Sequence, residues 1–175
     1  SKQAADGTWG PYQTEAHAFG LLGLCLQTLA TCGHGARHPA IVAGQRVLDR
    51  ELAGPLHVME WYGGHGSIIT YSAATVLLFY EALHGDPRPT ASAPLRPLPA
   101  RVRRHIEALT AWLLRSRNAS GWRYPYTNTE GRTDLSNMVY ALMGLHAAAR
   151  LGQEIGDNAW LRAARQVLAL QSPDG

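Results

Sequence analysis

The sequence predicts an all-α protein of about three two-helix units, and two observations carry that prediction. Three apolar segments, residues 21–33, 73–85 and 140–152, each end at a glycine, a residue that commonly terminates helices in the left-handed conformation. Each segment is followed by a stretch whose apolar residues recur on one helical face only. Because a helix that is apolar all round must be covered on most sides, the alternation predicts an inner and an outer layer of helices.

Six helices follow from this periodicity. We expect inner helices at 13–32, 66–84 and 134–151 and outer helices at 38–53, 99–117 and 157–171. Within 99–117, the apolar residues Val102, Ile106 and Leu109 share one face and arginines occupy the other, as in a half-exposed helix. Asp134 precedes the third inner helix, and its carboxylate is predicted to cap the free N–H groups at the start of that helix.

The three inner segments align on their final glycines, which places Leu26, Leu78 and Leu145 at matching positions. We therefore expect these leucines to be structurally equivalent. Because inner helices should be covered, we also expect Met143 and Leu145 to be shielded from water. No β-strand is expected.

Composition limits the class of protein. With 175 residues, 46% of them apolar and 17% charged, residues 1–175 suit a single domain with a hydrophobic core. The net charge of +3 is too small to indicate nucleic-acid binding, and Arg101, Arg103 and Arg104 are interpreted as a solvated helix face. No apolar run approaches the ~20 residues that cross a bilayer, so no transmembrane segment is expected.

The two ends of the chain carry similar phrases, QAADG at 3–7 and QSPDG at 171–175. A phrase that returns at a fixed spacing is typical of structural repeats. We therefore expect the chain to start and stop at the same point of the repeat. On this interpretation it is part of a longer chain, and the remaining repeats of that chain are its partners.

The same phrases carry a family resemblance. QAADGTW, at 3–9, resembles the Gln-Trp motif of squalene and oxidosqualene cyclases, and LLRSRNASGW, at 113–122, resembles a degenerate copy. TDLSNMVYALMGL, at 133–145, is similar to the inner-helix start that these cyclases share with protein prenyltransferase β subunits. The combination also resembles bacterial prenyltransferase and squalene oxidase repeat proteins. The resemblance implies an α/α toroid, here a partial barrel around a cavity. The motif residues Gln3, Trp9, Trp122 and Gln171 are interpreted as structural staples.

The acid set of the cyclases is not found. In squalene-hopene cyclases a D-x-D-D motif at an inner-helix start protonates an alkene, which requires an unusually strong acid. The aligned stretch here is DLSN: Asp134 matches the first position, but Ser136 and Asn137 replace the paired acids. A hydroxyl and an amide cannot supply that proton. Proton-initiated cyclisation is therefore not expected from this segment.

The zinc set of the prenyltransferases is not found either. Those enzymes hold zinc with Asp, Cys and His, but no Asp-x-Cys occurs here, and Cys25 is interpreted as a small core residue. Cys32, His34 and His38 are a weaker alternative, since lanthipeptide cyclases are α/α toroids that bind zinc through cysteine and histidine. The other interpretation is that these histidines lie near a helix C-terminus, whose partial negative charge favours them. We expect no cofactor.

A rim of polar and aromatic residues is the remaining candidate site. Because the rim residues lie at or near the starts of the predicted inner helices, we expect them to meet at one mouth of the toroid. The members of the rim are Glu15, His17, His65, Trp122, Arg123, Tyr124, Asp134 and Asn137. Such a mouth could hold a polar head group while the apolar interior takes a tail. The alternative is that the acids only cap helices and the aromatic rings only pack.

Function is therefore expected to be binding. The main hypothesis is a repeat domain that binds an apolar isoprenoid-like or lipid-like ligand, or a protein partner, without a catalytic set in this segment. One alternative is a cyclase or prenyltransferase whose catalytic residues lie in other repeats, and another is a zinc-dependent toroid enzyme. The proline-rich segment 86–99 is interpreted as a stiff spacer between helices.

Overall fold

A computed structural model describes residues 3–9, 19–58, 67–88, 93–117, 121–122, 134–169 and 171. The described chain is almost entirely helical outside its turns, which confirms the predicted class. Its helices are α1 Gly20–Thr31, α2 Pro39–Glu51, α3 Thr70–His84, α4 Ala100–Ser116, α5 Leu135–Arg150 and α6 Asp157–Ala169. The expectation of no strand is wrong, because β1 His57–Val58 and β2 Ser67–Ile68 form a short parallel pair.

Helix α3 is the centre of the fold. It lies between α1 and α5 and makes the most extensive helix contacts with both. Helix α2 packs against α1, and α4 packs against both α3 and α5. The three helices predicted to be inner are thus the ones that pack side by side.

Small residues allow the flanking helices to approach α3 closely. A Cβ atom placed on Gly23 of α1 would lie 2.6 Å from Thr75 Oγ1 and 3.0 Å from the Thr75 carbonyl carbon. On the other side of α3, a Cβ on Gly144 of α5 would lie 2.9 Å from Ala74 Cα. Thr75 also donates a hydrogen bond of 3.2 Å to the Gly20 carbonyl. Backbone therefore packs directly on backbone, and the dispersion contacts at these crossings are dense.

Two of the three predicted glycine stops are present. Gly33 and Gly152 have φ of +88° and +89° and end α1 and α5. At both ends the next residue donates back into the helix, His34 N to Leu29 O and Gln153 N to Ala148 O, which completes a Schellman motif. The prediction is wrong for Gly85, which is extended, with φ −65° and ψ 155°, and forms an antiparallel bridge with Pro94.

The different end of α3 leaves its register with α1 as predicted. A Cβ on Gly20 would lie 3.0 Å from Ser72 Oγ and a Cβ on Gly23 2.6 Å from Thr75 Oγ1, and both pairs are 52 positions apart, as are Leu26 and Leu78. Leu26 and Leu145 are buried, but Leu78 is only half-buried. The three leucines therefore differ in how far they are covered.

A second correction concerns Met143. Leu145 is buried as expected, with 1% of its surface exposed, but Met143 is 43% exposed. Met143 lies two positions from Ala141 and from Leu145, both of which are buried. Two helical positions correspond to a rotation of about 200°, so Met143 points away from the packed side of α5. Helix α5 is therefore covered on one side only, whereas α3 is buried on most sides.

The Gln-Trp phrases have structural roles in the described chain. The Gln3 side chain donates hydrogen bonds of 3.0 Å to the Gly7 carbonyl and 2.9 Å to the Ala40 carbonyl in the first turn of α2. Trp9 is buried within the main core. These bonds fix the first described segment against α2 and close its turn.

We expect Gly23→Ala to destabilise the fold by roughly 1–3 kcal/mol, although alanine favours helix, because the methyl group would overlap the α3 backbone. Urea denaturation followed by far-UV circular dichroism measures this change. Gly35→Ala is the control: a Cβ there meets nothing within 4 Å, and stability should change by less than ~0.5 kcal/mol. Equal stability of the two variants would contradict the tight α1–α3 crossing.

Candidate functional site

A chain of three hydrogen-bonding side chains lies where α3 and α5 begin. The Tyr71 hydroxyl, in the first turn of α3, donates to Ser136 Oγ at 2.7 Å. Ser136 in turn donates to Asp134 Oδ1 at 2.5 Å, and the Asn137 backbone N–H donates to the same oxygen at 3.1 Å. The predicted N-cap role of Asp134 is confirmed. We call Tyr71, Ser136 and Asp134 the rim chain.

The direction of these bonds determines what the rim chain can do. Both hydroxyl protons point toward Asp134, which accepts at Oδ1 from Ser136 and from the Asn137 N–H, an arrangement that favours the ionised carboxylate. Partial burial acts against ionisation, but the hydrogen bonds from Ser136 and from the Asn137 N–H outweigh it and hold the pKa of Asp134 below its ordinary value. Asp134 is thus a base and an acceptor. A carboxyl in this state cannot protonate an alkene.

Asn137 lies behind the rim chain. The residue is 1% exposed, and its Nδ2 has no hydrogen bond of normal geometry, although the side chain lies close enough to Asp134 to help lower the pKa of that carboxyl. A buried amide nitrogen without a well-formed hydrogen bond costs free energy. Asn137 therefore lies next to Asp134 as predicted, but its side chain is in the interior and not on the surface of the rim.

Trp122 does not share the rim. It is 1% exposed, and its indole N–H donates to the Leu113 carbonyl in the last turn of α4 at 2.8 Å. The Arg117 guanidinium lies 5.9 Å from the centroid of the indole ring. Trp122 therefore covers a helix end, as the staple interpretation predicts. The other predicted rim residues lie outside the described residues: Glu15, His17, His65, Arg123 and Tyr124.

No sequence pattern indicated a role for Tyr71, and Ser136 was predicted only as a residue that replaces one of the cyclase acids. Tyr71 also packs its ring on Tyr140, with the ring centroids 4.5 Å apart. A polar aromatic residue in the first turn of an otherwise apolar helix was the available signal for Tyr71. The pairing with Ser136, 65 residues away, depends on how α3 packs against α5.

The weaker zinc alternative, Cys32, His34 and His38, gains no support from the structure. Cys32 is exposed at the end of α1, and His34 and His38 pack their rings on each other, with the centroids 4.3 Å apart. Among the described residues, no three His, Cys, Asp or Glu side chains are grouped so that they could hold a metal ion. Cys25 is half-buried against the core, and burial raises the pKa of its thiol. The Cys25 thiol is therefore not in an activating environment.

A second polar cluster, which the sequence analysis did not identify, joins α2, α3 and α4. The Tyr80 hydroxyl and His105 Nδ1 are 2.7 Å apart, and both residues are buried. Arg101 donates to Asp49 Oδ2 at 3.1 Å and to Gln45 Oε1 at 3.3 Å. His105 Nε2 faces Asp49 Oδ1 at 3.7 Å. We call these five residues the three-helix cluster.

The neighbours of His105 in the three-helix cluster determine which of its ring nitrogens carries the proton. Burial, reinforced by Asp49, raises the pKa of Tyr80, so the phenol keeps its proton. Burial also lowers the pKa of His105, against the attraction of Asp49, so the imidazole is neutral near pH 7. The phenol then donates to Nδ1, and the imidazole proton lies on Nε2, facing the Asp49 carboxylate.

We expect Asp134→Ala to lower the free energy of unfolding by about 1 kcal/mol, because the first N–H groups of α5 lose their acceptor. Asp134→Asn keeps a capping oxygen and should cost less. Urea denaturation of both variants measures the difference. An unchanged midpoint in Asp134→Ala would contradict the cap.

We also expect stability to fall as the pH drops below about 6.5, the ordinary pKa of histidine. The sign follows because the unfolded chain takes up the His105 proton at a higher pH than the folded chain does. Tyr80, Asp49, Arg101 and Arg104 surround this ring, and burial lowers the pKa of His84 as well.

Urea denaturation at about pH 7.5 and about pH 5.5 measures this loss. In His105→Gln the difference between the two pH values should shrink, whereas in His34→Gln, whose ring lies on the surface, it should persist. A parallel loss in all three proteins would contradict the assignment to His105.

Comparison with known proteins adds no relative: no protein-family model, no curated protein and no solved structure matches the chain. Across the described residues, no helix combines the length and the apolar character that crossing a membrane requires. A function must therefore be argued from the geometry of the described side chains.

Proposed function

We propose that this chain is a terpenoid-cyclase-like or prenyltransferase-like repeat domain of the α/α toroid type, which binds an apolar ligand and has no catalytic set of its own. The observation that carries the proposal is a row of apolar side chains, one each on α1, α3 and α5, that are exposed or only half-buried. The row consists of Leu24, Leu78 and Met143, and we call it the apolar row.

The three members of the row have similar neighbours along their helices. Each lies midway between two fully buried residues, two positions before and two positions after it. These flanking pairs are Leu22 and Leu26, Val76 and Tyr80, and Ala141 and Leu145. Because two positions turn the helix by about 200°, Leu24 and Met143 point away from the buried side of their helices, whereas the half-buried Leu78 also packs against the core.

The row takes one member from each of three helices that pack side by side, since α1 and α5 both contact α3. Neighbouring helices lie roughly 8–10 Å apart, so three members span roughly 16–20 Å. Leu24 is 47% exposed and Met143 43% exposed, and Val139 on the same face of α5 is 45% exposed. A contiguous apolar surface is typical of a binding site, unlike scattered single hydrophobic residues.

The rim chain lies at one end of the row. Tyr71 precedes Leu78 by seven residues, and Ser136 precedes Met143 by seven. Seven residues are close to two helical turns, so each polar residue shares a face with its row residue, about 10 Å away along the helix axis. His17, outside the described residues, has the same spacing from Leu24 in the sequence. Polar groups and apolar side chains on one face suit a ligand with a polar end and an apolar body.

The non-catalytic part of the proposal follows from Asp134. Its hydrogen bonds hold it ionised, and Ser136 and Asn137 stand where the cyclases have their paired acids. An acid catalyst would need the opposite environment, one that keeps a carboxyl protonated.

Farnesol, an isoprenoid alcohol, is a suitable probe in isothermal titration calorimetry. We expect saturable binding that Met143→Gln weakens roughly ten-fold, because a chain of similar length replaces the thioether contact with an amide. The control is Leu95→Gln, which removes an apolar side chain that is 61% exposed outside the row.

Three results would contradict the proposal. The first is no saturable heat with the unmodified protein, and the second is an equal loss in Leu95→Gln. The third is a cyclised product after incubation with squalene, which would contradict the non-catalytic part alone.

A further inference from the structure

A cleft of about 510 Å³ opens between α2 and α4. Its walls carry three basic side chains, Arg101, Arg104 and His105, and one acidic side chain, Asp49. The cleft is separate from the apolar row. Tyr80 contacts the His105 ring of the cleft, whereas Tyr71 belongs to the rim chain beside the apolar row. The two tyrosines are nine residues apart, a spacing that corresponds to about two and a half helical turns. The two tyrosines are thus on opposite faces of α3.

The charges of the cleft do not cancel. Arg101 is engaged by Asp49 Oδ2 at 3.1 Å and by Gln45 Oε1 at 3.3 Å, so the Asp49 charge is already balanced. Arg104 lines the same cleft and remains as a net positive charge. An anion entering the cleft therefore meets one uncompensated guanidinium.

His105 contributes a second donor. Only 7% of the residue is exposed, and the Tyr80 hydroxyl orients its ring through Nδ1. The proton on Nε2 faces Asp49 Oδ1 at 3.7 Å, which is longer than a hydrogen bond. A buried, oriented N–H without an acceptor at hydrogen-bonding distance can bind an oxygen atom that enters the cleft.

The remaining wall is apolar. Leu52, Ala53 and Ala108 complete the lining. The volume falls within the range of small-molecule sites, about 300–1,000 Å³, and exceeds what a bare inorganic anion needs. The cleft therefore suits an anionic group that carries an organic part.

We propose that the cleft between α2 and α4 binds a small organic phosphate or carboxylate, whose oxyanion accepts hydrogen bonds from Arg104 and from His105 Nε2 while its organic part lies on Leu52, Ala53 and Ala108. Arg101, held by Asp49 and Gln45, balances the Asp49 charge and so limits its repulsion of the anion. This site is distinct from the apolar row and does not depend on the function proposed for it.

Nuclear magnetic resonance of the histidine side-chain nitrogens tests the proposal. Phenyl phosphate and benzoate serve as organic anions, and inorganic phosphate as the group without an organic part. We expect phenyl phosphate to shift the His105 Nε2 signal saturably and to raise the pKa of His105, because an anion stabilises the imidazolium. Inorganic phosphate should bind more weakly because it leaves the apolar wall uncovered. The relative affinities of phenyl phosphate and benzoate identify which oxyanion the cleft prefers, and saturable binding of either supports the proposal.

Arg104→Gln should weaken binding roughly ten-fold, the usual effect of losing one charge-assisted hydrogen bond. Arg103→Gln is the matched control, since Arg103 is exposed one position earlier on α4 and does not line the cleft. An equal loss in both variants would reveal diffuse attraction to the basic face and overturn the site. So would the absence of a saturable His105 shift with both organic anions.

Discussion

The close approach of α1 and α5 to α3 is the constraint on which the rest of the structure depends. Gly23 lies against Thr75 on one side of α3, and Gly144 lies against Ala74 on the other, with no room for a side chain at either glycine. At this distance the Tyr71 hydroxyl reaches Ser136, whereas larger residues at the crossings would push these groups apart. The same two crossings fix the relative rotation of the three helices. That rotation determines which side chains remain exposed to solvent. The positions of the apolar row therefore depend on the helix crossings at Gly23 and Gly144.

The two polar clusters show how one helix can serve two different environments. Tyr71 and Tyr80 belong to α3 and face opposite sides of it. On one side, the hydroxyl of Tyr71 is linked through Ser136 to the ionised carboxylate of Asp134 near solvent. On the other side, the hydroxyl of Tyr80 donates a hydrogen bond to the neutral, buried imidazole of His105. Burial favours neutral groups, whereas donated hydrogen bonds favour anions, and this difference explains why Asp134 is a charged acceptor while His105 is an oriented donor.

Local sequence patterns predicted the helices well because each depends on neighbours along the chain. The glycine stops at Gly33 and Gly152 need only a few bonds within one helix end. Gly85 failed as a predicted left-handed stop because its conformation is set by pairing with Pro94, nine residues away. Asp134 was predictable as a cap, but its link through Ser136 to Tyr71 was not, because it requires two helices to meet. Side-chain pairs distant in sequence, such as Tyr80 with His105, leave no periodic signal.

The exposed apolar side chains of α1 and α5 also restrict what can bind there. Packing within the described residues does not account for exposed side chains such as Leu24 and Met143, because their buried neighbours already fill the covered side. The rim chain constrains the polar end of a ligand in turn. Both of its hydroxyl protons are donated toward Asp134, so neither Tyr71 nor Ser136 has a hydroxyl proton left to donate to a ligand. A group that donates a hydrogen bond, such as an alcohol, is compatible with that arrangement, whereas a carboxylate or phosphate is repelled by Asp134. An apolar body with a donating polar end therefore satisfies the rim chain and the apolar row together, and a wholly apolar hydrocarbon satisfies only the row.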